Sequence, residues 1–378
     1  MTSQPLPLPL EVVTRPSQLA AAVRAMAEEP VVAFDTESNS FHRYPEQLCL
    51  IQTATRHTVY VIDTIALKDV SPLGNLMAKS SVVKVAHGAD YDVRSLDRHY
   101  GFRVLNLYDT NIAARFAGFT RVGLADLITE ALQVSIAKDK RLQRADWGRR
   151  PLSDEALVYA ADDVRHLIAL RETLVQRLAS LGRTQWVAEE CARLEEVRYT
   201  PPDPETAFHG VKGSRDLDGR GLAILQKLFQ FREEEARRQH RPPYFVLRDD
   251  VLVSLAMNPN VPLERVPGLG QSAIGRFGPE LRRAVLEGQA GQPLLRIRTA
   301  NGRPTREETE RLRHVKAWRT ALGQTLQLDP SLLWPAASLE RLSRAPETLE
   351  AELVSPDVRR WQRENFADSL AVFLRSPP

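Results

Sequence analysis

Apolar positions along the chain change period several times, and the changes outline its organisation. Pro16 to Glu29 carries Leu19, Ala22, Val23 and Met26 at helical spacing, which predicts an amphipathic helix. Pro30-Val31-Val32-Ala33-Phe34 is then continuously apolar, the pattern of a short strand buried on both faces, and it ends in Asp35-Thr36-Glu37. Gln47 to Thr53 and His57 to Asp63 are strand-like runs around a short polar turn, predicting an antiparallel hairpin beside the first strand. Ser71 opens a helical stretch. Ser81 to His87 reads as another strand, broken by Gly88, and Ala89 to Tyr100 as a helix with Val93 and Leu96 inward. Val104 to Tyr108 predicts a further strand leading to a helix cap at Asp109-Thr110, and Leu124 to Leu132 predicts a helix. Pro151-Leu152-Ser153 opens one long helix reaching about Leu181, with Ser153 as N-cap and Asp154 and Glu155 at the positive end of the helix dipole. Leu157, Ala161, Val164 and Ile168 form its buried stripe. Antiparallel strands followed by alternating strands and helices predict an α/β domain with a mixed sheet and flanking helices.

Thr200 to Arg215 is rich in proline and glycine and marks a boundary, beyond which the pattern repeats itself. Phe231-Arg232 matches Trp318-Arg319, Pro243 matches Pro330, Leu252 matches Leu339, Leu255 matches Leu342 and Pro259 matches Pro346, always 87 positions apart. Such self-similarity predicts two related all-α modules, each a helix, a proline-broken loop and several short helices. The longest strand-like pattern there is Tyr244 to Leu247. The expected divisions are 1–204 for the α/β domain, 211–291 for the first helical module and 303–378 for the second.

Strand alternation points Asp35 and Glu37 the same way. Two like charges at the end of a buried strand repel and resist desolvation, and a divalent cation would relieve both costs; acids simply facing water are the alternative. A second cluster, Tyr159-Ala160-Ala161-Asp162-Asp163, sets Tyr159 and Asp163 four apart on one helix face, with Asp162 three away and not excluded by geometry. In a third, His87-Gly88-Ala89-Asp90-Tyr91-Asp92, Asp90 could cap the helix and Asp92 could reach toward the sheet end. His87 and His166 read as structural.

Composition narrows the class. With 43% hydrophobic and 26% charged residues over 378 positions, neither disorder nor a membrane class is favoured. No apolar run approaches the ~20 residues that span a bilayer, and no secretory signal opens the chain. Cys49 and Cys191 lie far apart without CxxC spacing, so neither a disulfide framework nor a zinc site is expected, and a cytoplasmic protein fits best. The net charge of +3 conceals an acidic excess before residue 206 and a basic excess over 206–300. That asymmetry suits a polyanion held by one region and cut or read by another.

Taken together, the three clusters resemble the DEDD superfamily of 3′→5′ exonucleases, in its tyrosine-containing branch and specifically ribonuclease D. Asp35-Thr36-Glu37 resembles the first exonuclease motif. His87 to Asp92 resembles the second, with its metal ligand at Asp92 and not Asp90. Tyr159 to Asp163 resembles the third, with Tyr159 and Asp163 as the functional pair. Asp146-Trp147-Gly148-Arg149-Arg150-Pro151-Leu152 resembles the ribonuclease D segment leading into that motif.

The resemblance implies a ribonuclease H-like fold and hydrolysis assisted by two divalent cations, Mg²⁺ or Mn²⁺, about 3.5–4 Å apart. Asp35, Glu37, Asp92 and Asp163 would hold them, with Asp35 between, since hard cations take oxygen ligands. Tyr159 would orient the attacking water, and nucleoside 5′-monophosphates would leave one at a time from a 3′ end. Leu217 to Gly288 resembles an HRDC domain, most clearly in Val266-Pro267-Gly268-Leu269-Gly270 and Phe277-Gly278. The turn at Gly268 and Gly270 could offer backbone N–H groups to a phosphate, or serve only as a tight connection. The second copy carries Glu347 to Val354 where that segment should stand, the mark of a degenerate HRDC-like domain. Lys138, Lys140, Arg141, Arg144, Arg149 and Arg150 lie in a basic connection that could contact phosphates, with Arg149 and Arg150 the candidates, or could simply be solvated. The expected protein is a monomeric exoribonuclease acting on RNA, tRNA precursors by implication of the resemblance. A DNA exonuclease of the same fold, or a non-catalytic nucleic-acid-binding protein, remains open.

Overall fold

A computed structural model describes residues 8–136, 139–295 and 304–375. The first part contains β1 (Leu10–Val13), α1 (Pro16–Ala27), β2 (Val31–Ser38), β3 (Leu48–Ala54), β4 (Val59–Asp63), α2 (Ser71–Met77), β5 (Val83–Ala86), α3 (Asp90–Tyr100) and β6 (Leu107–Asp109). It continues through α4 (Thr110–Phe116), α5 (Leu124–Leu132), α6 (Lys140–Gln143), α7 (Asp154–Arg165), α8 (Leu167–Ser180) and α9 (Thr184–Glu195). The six strands form one mixed sheet in the order β1-β4-β3-β2-β5-β6. β2, β3 and β4 are antiparallel neighbours, while β5 runs parallel to β2, β6 to β5 and β1 to β4.

The apolar run of β2 is buried on both faces because both are covered. Val32 and Phe34 pack with α1, α2 and α3, including Leu19, Met26, Leu73, Val93 and Leu96. Val31 and Ala33 pack toward α4, α7 and α8, with Ala113, Ala161, Val164 and Ile168. The expected long helix is two, α7 and α8, parted at His166. On a twisted sheet the break lets α7 cover β3 and β4 while α8 lies over β2 and β5. Ala156, Ala160, Ala161 and Val164 are the buried residues of α7, and Leu157 is only partly covered. The strand expected over Val104 to Tyr108 is shifted to Leu107–Asp109, and β1 has too few residues to show a period.

The repeat is realised element by element. α10 (Gly219–Gln239), α11 (Pro243–Val246), α12 (Asp249–Met257) and α13 (Gln271–Ala290) form the first module. α14 (Arg306–Leu326), α15 (Pro330–Leu333), α16 (Ala336–Arg344), α17 (Leu349–Leu353) and α18 (Arg360–Arg375) form the second. The first three helices of each begin and end 87 residues apart. Arg232 Nη1 donates to Leu247 O at 3.4 Å, and its counterpart Arg319 to Trp334 O at 2.9 Å. His240 and Gln327, also counterparts, share a left-handed φ of 52°. Tyr244 to Leu247 is not extended: Pro243 starts a helical turn there, as Pro330 does in the second module.

The modules meet the α/β domain differently. The first has its own core and touches the β2–β3 loop, where Tyr44 Oη donates to the Glu233 carboxylate and Tyr244 Oη to Phe41 O at 2.8 Å. The second shares one continuous core with the sheet-covering helices, so it is not the separate body its sequence boundary suggests. Trp361 stacks on Trp186 of α9 at 4.8 Å, and Phe116 of α4 meets both rings edge-on. Glu190 accepts from Trp361 Nε1 at 2.9 Å and Arg359 Nε at 3.1 Å. Glu189 takes the N–H groups of Arg360 and Trp361 at 2.7 and 3.0 Å, capping α18 from the neighbouring domain.

Candidate active site

The C-terminal end of β2 gathers the acids. Asp35 lies opposite Gln52 of β3 and Glu37 opposite Leu50, and the ladder shifts register between Glu37 and Ser38. From α7, which packs on the same face, Asp163 reaches over. Asp35, Glu37 and Asp163 each bring a carboxylate oxygen within 4.8 Å of the others. Asp92 arrives from α3 on the opposite face. It lies outside that trio, is buried, and accepts a hydrogen bond from Thr36 Oγ1, whose side chain alternation turns toward α3.

Burial raises all four acids, and repulsion from neighbouring carboxylates adds to it. Asp35 is held well above the usual carboxylate range by burial, then by Asp92, Asp163 and Glu37. Burial, Asp163 and Asp92 push Glu37 up to about 9. Burial, Asp162 and Asp92 push Asp163 up to about 7, and burial takes Asp92 to about 6 despite the Thr36 bond. Tyr159 sits on α7 with its ring 6.0 Å from that of the buried Trp147. Burial, Asp163, Glu37 and Asp35 raise its phenol further, so it keeps its proton at neutral pH. A divalent cation fits this donor set: the ligand atoms are all hard oxygens, they converge, and the charges acting on them are chiefly one another's. Gln52, fully buried opposite Asp35, has neither amide atom hydrogen-bonded among the described residues, so polar matter entering the site would meet a partner there.

The turn carrying Asp92 is built around Asp109. Gly88 has φ +73°, which a side chain would resist, and sends the chain from β5 into α3. Its N–H and that of Ala89 donate to the Asp109 carboxylate at 3.0 and 2.7 Å. The same carboxylate takes Asn111 N and Ile112 N at 2.7 and 3.2 Å, capping α4. His87 is a scaffold residue: its Nδ1 lies 3.0 Å from Thr110 Oγ1, and burial lowers its pKa. Asp90 does not cap α3; it pairs with Arg94 one turn on.

The basic connection divides. Arg149 is exposed, but Arg150 turns onto the scaffold, against expectation. Its Nε and Nη2 grip Asp63 at 2.6 and 2.7 Å, and its remaining donors go to Trp147 O, Arg149 O and Cys49 O. A guanidinium so occupied holds the segment before α7 against β3 and β4, and has no donor left for a phosphate. Lys138 lies outside the described residues. Gly268, at φ +80°, and Gly270, the N-cap residue of α13, form an exposed turn well removed in sequence from the acids. Sequence patterning missed Thr36, Gln52 and Asp63 because each acts through a partner on another element. The one available signal was a threonine between two acids, facing the other way.

A mixed sheet whose central strand ends in paired acids, covered by a helix that adds a tyrosine and an aspartate, defines a metal-dependent 3′→5′ exonuclease. Residues 10–179 match the 3′-5′ exonuclease family, and residues 221–285 match the HRDC domain. Ribonuclease D of Granulibacter bethesdensis is 33% identical, over 95% of this chain and 91% of its own. That of Gluconacetobacter diazotrophicus is 32% identical, over 94% and 90%. The crystal structure of Escherichia coli RNase D, described as an exoribonuclease involved in structured RNA processing, superposes with a TM-score of 0.76 at 26% identity, covering 98% of this chain and all of that one. The catalytic core of RRP6 from Trypanosoma brucei gives 0.66 at 27% identity, over 75% of this chain and 81% of its own. The chain belongs to the ribonuclease D family and is a 3′→5′ exoribonuclease. Among the described residues no helix is long and apolar enough to cross a membrane.

Proposed function

We propose that this exoribonuclease trims the 3′ ends of structured RNA, tRNA precursors among them, as a cytoplasmic monomer using Mg²⁺ or Mn²⁺. The observation that carries the reading is the convergence of Asp35, Glu37 and Asp163 as mutually repelling, half-buried carboxylates. These three would hold one cation, and Asp92, on leaving Thr36, would join Asp35 around a second. When bound, such cations lower the pKa of an attacking water and balance the charge of the departing 3′ oxygen. Tyr159 keeps its proton and so orients the water by hydrogen bonding instead of acting as a base. The chain divides, in this reading, into a ribonuclease H-like nuclease (1–204), an HRDC domain (211–291) and a degenerate HRDC-like domain (303–378). The shared Arg232–Leu247 and Arg319–Trp334 bonds support the kinship of the last two. Arg149 and the Gly268–Gly270 turn are its candidate phosphate contacts.

The test is digestion of 5′-labelled tRNA precursor, unstructured RNA and single-stranded DNA, each with Mg²⁺, with Mn²⁺ and with chelator. Metal-dependent ladders shrinking from the RNA 3′ ends are expected, and Asp35→Asn should abolish them while leaving RNA binding near normal. Equal loss of DNA, or turnover by Asp35→Asn, would overturn the reading.

A further inference from the structure

Among the described residues only four phenylalanine, tyrosine or tryptophan side chains are exposed: Tyr91, Phe41, Tyr244 and Phe245, at 45%, 49%, 49% and 55%. All four fall on one connected path. Tyr91 immediately precedes Asp92, and its hydroxyl lies 2.7 Å from Ser38 Oγ at the end of β2. Phe41 follows three residues later. Its carbonyl accepts from Tyr244 Oη at 2.8 Å, across the junction with the first helical module. Tyr244 and Phe245 stand with ring centroids 4.6 Å apart, and the Arg241 guanidinium lies 5.3 Å from the Phe245 ring.

Single exposed apolar side chains need no explanation, but the gathering of every exposed phenylalanine and tyrosine on one path does. The path begins beside the acids. Phe41 is four residues from Glu37, so the chain keeps their Cα atoms within about 14 Å. Rings presented to water in series, with a guanidinium at the far end, match the demands of an unpaired nucleotide strand. Each base has a π-face to stack, whatever its identity, and the backbone carries negative charge. Paired bases cannot stack this way, because their faces are already taken.

We propose that Tyr91, Phe41, Tyr244 and Phe245 form a stacking track for the unpaired 3′-terminal bases of the RNA substrate, leading from the first helical module to the carboxylates. The track rests on the exonuclease reading of that site. It gives the β2–β3 loop a purpose beyond connection: the loop joins the holding module to the cutting strand through the track itself. It also makes the enzyme select single-stranded 3′ tails without selecting their sequence.

The test is fluorescence anisotropy of full-length protein with a labelled single-stranded oligoadenylate and a blunt duplex RNA, all variants carrying Asp35→Asn to prevent cleavage. Phe245→Ala and Phe41→Ala should each weaken the single strand by roughly 5- to 100-fold, with Phe245→Trp restoring wild-type binding. Duplex binding should change little, and Leu286→Ala, an exposed apolar position on α13, should change neither. Single-strand binding within twofold of wild type in both alanine variants would overturn the track. So would Phe245→Leu binding as well as Phe245→Trp, since that would make the contact merely apolar. Metal-dependent RNA shortening by the unmodified protein reads the exonuclease assignment separately.

Discussion

Replacing Asp109 with alanine removes one carboxylate from four N–H groups and so disturbs two helices at once. The side chain is 1% exposed, and it serves the start of α3 through Gly88 and Ala89 and the start of α4 through Asn111 and Ile112. Loss of a helix cap costs about 0.5–2 kcal/mol, and here two caps fail together in a site that water does not reach. A loss of about 3 kcal/mol follows, a large part of the 5–15 kcal/mol that a native chain typically holds. Asp109→Asn keeps one accepting oxygen and should lose about half as much. Denaturant unfolding in chelator measures the stability change. Calorimetric titration with Mg²⁺ then measures the functional one, because α3 carries Asp92 and its displacement should weaken cation binding. An alanine variant within 0.5 kcal/mol of wild type, or an asparagine variant indistinguishable from it, would refute the double-cap account.

In chelator, stability should fall as pH rises from about 5 to 9. The folded chain keeps protons on Asp92, Asp163 and Glu37 up to about 6, 7 and 9, whereas the unfolded chain releases them near 4. Mg²⁺ should raise the thermal midpoint more at pH 8 than at pH 5, and Glu37→Gln should flatten the chelator slope; a midpoint rising with pH in wild type but not in Glu37→Gln would refute this. Arg150→Met leaves the buried Asp63 carboxylate without its cation and should cost about 3 kcal/mol at neutral pH, as read by denaturant unfolding, and less in acid once Asp63 protonates, since against burial the Arg150 bond holds its carboxyl below the usual range. Trp361→Ala removes the ring stacked between α9 and α4 and should cost about 3–5 kcal/mol, with limited proteolysis cutting first between the α/β domain and the second module.

What the sequence made legible was whatever period or short-range spacing carries. The run from Val31 to Phe34 is apolar at every position because helices cover both faces, and Tyr159 and Asp163 face alike because a helix returns every fourth residue. The 87-residue repeat survived in the structure down to the φ angles of His240 and Gln327. Partnerships across the fold were not legible. Arg150 reads as one more solvent-facing cation until Asp63, 87 residues earlier, is brought beneath it. Asp92 carries no sign that a threonine from the first motif bonds its carboxylate. The break at His166 lets α7 and α8 lie over different strands, which no local pattern in either helix records.

The shared core of the second module has a consequence for how the molecule is made. Trp186 and Phe116 leave the ribosome long before Trp361, which comes 175 residues after Trp186. At about 5–20 residues per second, the α/β domain waits roughly 10–35 seconds with that apolar face open. Only a chain translated through Trp361 can close it, so a message broken upstream of that codon yields a nuclease that still displays two bare aromatic rings to chaperones and proteases.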